Sequence, residues 1–94
     1  MPLARVVSFE GVSSDRIREL ERELRDGEQP DDVPATEILM LHDGEAERSL
    51  VILFFDSEED YRRADAALDA MPADETPGRR TSVARYDVAL RITR

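Results

Sequence analysis

His42 is the only histidine among the 94 residues. Its ordinary pKa lies near neutrality, so it is the side chain best suited to act as a general base there. Asp43 follows directly and is placed to orient the ring. The other reading of His42 is an exposed histidine leading into an Asp-Gly turn, with no chemistry attached. Arg85, Asp87 and Arg91 share one side of an alternating segment. If that side faces an interior, the planar forks of the arginines can hold a carboxylate or an enolate. If it faces solvent, the same charges protect an edge strand from unwanted pairing. Tyr61 and Tyr86 each fall on an apolar stripe. Either can put a phenol into a pocket lined by Phe9, Met40 and Phe54, or pack as a structural tyrosine with its hydroxyl satisfied. The candidate catalytic set is therefore His42 as base, Arg85 as anion stabiliser and Tyr61. The candidate ligand pocket is Tyr86, Phe9, Met40, Phe54 and Asp87.

Other chemistries are excluded by what the chain lacks. It has no Cys, which removes thiol nucleophiles, disulfides and thiolate metal sites. Its 13 basic residues are all Arg, so no lysine can form a Schiff base or anchor PLP. Asp31-Asp32 and Glu58-Glu59-Asp60 lack the ligand spacing of a calcium loop, and the second group is explained by helix capping. Thr76-Pro77-Gly78-Arg79-Arg80 offers two arginines to an anion but no phosphate-cradling glycine pattern. No Gly-x-Ser-x-Gly elbow is present. Neither a metal nor a cofactor is expected. The net charge of -9, with basic and acidic residues interleaved, argues against nucleic acid and against an anionic membrane. No apolar run approaches the ~18 residues of a membrane span, and the N-terminus has no signal-peptide layout. A soluble, cytoplasmic protein is the expectation.

The elements that must position these side chains follow the order strand, helix, strand, strand, helix, strand. Leu3 to Glu10 reads as a strand apolar on both faces and closed by Gly11. Ser13 or Ser14 then caps a helix with Asp15 in its first turn and Ile17, Leu20 and Leu24 on one stripe; Gly27 stops it. A second strand covers about Ala35 to His42, and Asp43-Gly44 is a strong hairpin signal into a third, about Arg48 to Asp56. Ser57 and Asp60 fit a capping pattern for a helix with Tyr61, Ala64, Leu68 and Met71 on one face, ended by Pro72. The last strand, from about Arg80 to Ile92, alternates strictly. This order defines a single α+β domain over residues 1–94 with a ferredoxin-like fold: a four-stranded antiparallel sheet carrying two helices on one face.

Two helices cover one sheet face only, yet Leu50-Val51-Ile52-Leu53-Phe54-Phe55 is apolar on both. Soluble monomers rarely expose such a patch, on the order of several hundred Å². A second copy of the chain packed face to face is the simplest cover, and it predicts a homodimer closed into a barrel-like core.

By element order, and by the ending Arg80-Thr81-Ser82-Val83-Ala84-Arg85-Tyr86-Asp87-Val88-Ala89, the whole chain resembles the dimeric α/β-barrel superfamily. That group includes antibiotic-biosynthesis monooxygenases, haem-degrading monooxygenases and small uncharacterised bacterial members. The resemblance implies a dimer with a pocket between helix layer and sheet or within the barrel. The catalytic members use Asn, Trp and His around such a pocket, and this chain has neither Asn nor Trp. Two functions are therefore expected. The first is a noncatalytic homodimer, or one binding a small hydrophobic ligand. The alternative is a cofactor-independent monooxygenase-like or isomerase-like enzyme acting on an aromatic or polyketide-like compound.

Overall fold

The computed structural model describes residues 2–27, 33–71 and 76–94. Its elements are β1 (Leu3–Glu10), α1 (Ser14–Asp26), β2 (Glu37–Asp43), β3 (Arg48–Phe55), α2 (Glu58–Asp69) and β4 (Arg79–Asp87). The four strands form one antiparallel sheet in the order β2-β3-β1-β4. The expected ferredoxin-like βαββαβ arrangement is thus present, with the two doubly apolar strands at the centre.

Ser13, not Ser14, caps α1: its side chain accepts from the Arg16 N–H at 3.1 Å. Ser57 does the same for α2, accepting from the Asp60 N–H at 3.2 Å. Each satisfies one backbone donor that the first turn leaves open. In β1 and β3, alternate side chains point to the helices. Leu3, Leu53 and Phe55 pack with Tyr61 and Ala64 of α2, and Val7 and Phe9 with Val12 and Ile17 at α1. The Tyr61 ring meets Phe55 edge-on, centroids 5.6 Å apart. Leu24, by contrast, stands half-exposed beyond the edge of this core.

Arg5 occupies a core position on β1 at 2% exposure, and its guanidinium reaches Asp65 at 2.9 Å and Asp69 at 3.2 Å. These carboxylates lie one turn apart on α2, so the pair fastens that helix to the middle of the sheet.

At the entry to β4 a register shift falls between Ser8 and Phe9 of its partner strand. There Gly78 passes so close to β1 that a Cβ would lie 2.5 Å from the Glu10 carbonyl oxygen. Only glycine fits that approach.

Three boundaries differ from the expected ones by two or more residues. β2 begins at Glu37 rather than Ala35, because Thr36 spends both its N–H and its hydroxyl on the Phe54 carbonyl. α2 ends at Asp69, which leaves Met71 outside the helical stripe and exposed. β4 stops at Asp87, although the alternation runs to Ile92. The cause is the start of β1: Leu3 pairs with Asp87, Val88 donates to the Pro2 carbonyl at 2.9 Å, and the ladder gains no further rung there. Asp31, Asp32 and Pro72 lie outside the described residues.

Candidate functional site

His42 points to the helix side of the sheet and is half-buried, held by two hydroxyls. Its Nδ1 lies 2.8 Å from Ser49 Oγ, and its Nε2 lies 3.3 Å from Ser14 Oγ. Either ring nitrogen can carry the proton, so the relay runs Ser14 to His42 to Ser49 or the reverse. Ser49 is buried at 4% exposure. The imidazole thus ties the first residue of α1 to a central strand of the sheet through hydrogen bonds.

The orienting group is Ser49 and not Asp43, which corrects the expectation for this pair. Successive strand residues face opposite ways, so Asp43 faces the open side of the sheet. Its carboxylate there accepts from the Ala46 and Glu45 N–H groups, each at 3.2 Å, and from Arg48 at 3.3 Å. Chiefly the Ala46 N–H, with help from Arg48, holds the Asp43 pKa below its ordinary value. Ser49 is not legible as a partner in the sequence, and Ser14 reads there only as an alternative helix cap. The available signal is the Ser13-Ser14 pair: one serine caps the helix and leaves the other free.

Arg85 also faces the helix layer, but at the far corner. It pairs with Arg5 across β4 and β1, in the row that continues through Leu53 to Ile38. The row of His42 runs through Ser49 and Phe9 to Arg80. Three strand spacings, across β3 and β1, and four residues of strand separate His42 from Arg85, roughly 20 Å at ordinary sheet spacings. Arg85 instead donates to Glu58 at 3.3 Å and lies over the Tyr61 ring, 5.2 Å from its centroid. That hydrogen bond is the main reason the Glu58 carboxyl is held below its ordinary pKa. Tyr61 itself is buried, and burial raises its phenol above the ordinary 10.0.

Within one chain the expected pocket residues divide between the two faces. Phe9 and Met40 lie on the helix side with Asp87, whereas Phe54 and Tyr86 lie on the open side. Arg91 leaves the side it was expected to share with Arg85 and Asp87. Its guanidinium crosses the open face to sit 4.2 Å from the Phe54 ring centroid and 2.7 Å from Glu37.

Among the described residues, that open face is left uncovered by the two helices. Leu39, Leu41 and Leu50 are 41%, 50% and 36% exposed, beside half-buried Val6, Ile52, Phe54 and Ala84. At the turn end it dips into an open hollow of about 480 Å³ lined by Ser8, Leu41 and Leu50 with Asp43 and Arg48 at its rim. Leu90 and Ile92, on the segment after β4, are 77% and 67% exposed. Among the described residues no helix is long and apolar enough to cross a membrane. No protein-family model matches this chain, and no curated protein sequence does so either.

Proposed function

We propose that the protein is a noncatalytic homodimer of the dimeric α/β-barrel type, whose open sheet face is its working surface and whose closed form takes a small hydrophobic ligand. One observation carries this reading: an apolar field, Leu39, Leu41, Leu50 and Ile52, fills the face that two helices cannot cover. Each such side chain gains about 1.5–3 kcal/mol on full burial relative to exposure, so two copies meeting here recover far more than any one charge pair contributes. The hollow beside Leu41 and Leu50 is the ligand compartment once a second copy lids it.

The enzyme alternative needs His42 and Arg85 on one cavity. Both face the helix layer, at opposite corners, so a second copy on the open face does not bring them together.

The test is the absolute mass in solution by light scattering across protein concentrations. The 10.7 kDa chain is expected to run as a dimer. Leu41→Glu, which sets a carboxylate in the middle of the field, is expected to run as a folded monomer and to lose saturable binding of an apolar fluorescent probe. A wild-type monomer at every concentration overturns the reading.

A further inference from the structure

The open face carries two patterns that fix how a second copy must lie on it. The first is a row of charges. Asp43 of β2 pairs with Arg48 of β3, Arg48 with Glu10 of β1, and Glu10 with Arg79 of β4. The signs alternate across all four strands, and neighbours are in ion-pair contact at 3.3 Å for Asp43–Arg48 and 2.7 Å for Glu10–Arg79. The second is a gradient of size. The β2-β3 half presents Leu39, Leu41, Leu50, Ile52 and Phe54, with Glu37 at its far end; the β1-β4 half presents the small Ala4, Val6, Ser8, Ser82 and Ala84, with Tyr86 its one large side chain, in the row of Phe54 and Glu37.

Two face-to-face arrangements have two-fold symmetry along simple directions of the sheet. An axis parallel to the strands keeps like ends together and reverses the strand order, setting β2 over the partner's β4. An axis across the strands keeps the order and exchanges the ends. In the first, the charge row meets its own reverse, so every negative group faces a positive one. Large side chains then meet small ones. In the second, β2 lies over β2 and β3 over β3 with ends exchanged, so Asp43 meets the partner's Glu37 and Arg48 meets the partner's Arg91 above Phe54, like charge on like.

We propose that two copies pack with their open faces together about an axis parallel to the strands, with Asp43 opposite the partner's Arg79 and Arg48 opposite the partner's Glu10. This rests on the homodimer reading above and adds its geometry. Packed sheets lie ~10 Å apart, a gap that an arginine and a carboxylate side chain span together. An isologous interface uses each such pair twice. Charge here acts on the choice of partner and orientation more than on raw affinity.

The experiment uses two variants, Asp43→Arg and Arg79→Asp, separately and mixed in equal amounts. In each variant alone, positions 43 and 79 carry the same sign, so both inter-subunit pairs are repulsive. Each is expected to dissociate roughly tenfold more readily than wild type at low salt. In the mixed dimer both pairs are again opposite in sign, and association returns to near the wild-type level. Clashes within a chain are the same alone and mixed, so recovery on mixing reports contact between subunits only. Arg48→Glu mixed with Glu10→Arg tests the second pair in the same way and stands in should the first pair fold poorly. No recovery in either mixture, with wild type dimeric, overturns the orientation and leaves the homodimer reading in place. A wild-type monomer overturns both.

Discussion

Arg5 is buried at 2% exposure, while its partners Asp65 and Asp69 remain partly open to water, their side chains 38% and 50% exposed. A buried guanidinium is tolerated because two carboxylates satisfy it; without them it is an uncompensated charge in the core. Replacing Asp65 and Asp69 together by Asn is therefore expected to cost about 2–4 kcal/mol in urea unfolding. Arg5→Met, which fills the same volume without a charge, is expected to cost less, about 1 kcal/mol or below. The reverse order would mean that the ion pairs themselves, rather than relief of a buried charge, hold α2 down. Tyr61 gives a second handle on the same corner. Burial favours its neutral phenol in the fold, so its folded pKa lies above the ordinary 10.0. As pH rises past that ordinary value the unfolded chain ionises first, and the fold loses stability until the folded phenol ionises too. In Tyr86→Phe the only remaining phenol is Tyr61, and its absorbance titration near 295 nm is expected above pH 10. A midpoint at or below 10 would mean that water reaches the hydroxyl.

Element boundaries show which parts of this fold were legible in the residues. Local chemistry was: Ser13 and Ser57 cap where their positions before apolar stripes put them, and the two strands apolar on both faces are the central ones. A cap is completed by residues three positions away, and a central strand by its own composition. Where the deciding partner is distant, the pattern ran on past the structure. Alternation from Val83 to Ile92 suits a strand throughout, but a strand also needs a neighbour, and β1 begins at Leu3. The site was less legible for the same reason. Asp43 is adjacent to His42 in sequence, yet adjacent strand residues face opposite ways, so the group that reaches the ring is Ser49, directly across the ladder. Arg5 was hidden by its surroundings: an arginine among Leu3, Val7 and Phe9 reads as an interruption of the core until Asp65 and Asp69 are seen above it.

At the scale of the whole molecule, the unpaired segment after β4 becomes an asset. Arg91 anchors it across the Phe54 end of the open face, and Leu90 and Ile92 stand 77% and 67% exposed on either side. These two side chains contribute little to a monomer that leaves them in water. In the proposed dimer, with the two-fold axis along the strands, like ends meet, and the segment of each copy is expected to lie against that of the other, at the end opposite the charge row. Leu90→Ser combined with Ile92→Ser keeps Arg91 in place and removes only the apolar part. Four side chains per dimer lose burial worth about 1.5–3 kcal/mol each at full enclosure, so partial enclosure still implies a dissociation constant raised at least about tenfold. The urea midpoint measured at monomeric concentrations is expected to stay within experimental error, because neither residue belongs to the core. Unchanged association in this variant would place the segments outside the interface and point to an axis that separates the two Phe54 ends. A shifted midpoint with unchanged association would instead make Leu90 and Ile92 part of the fold of a single chain.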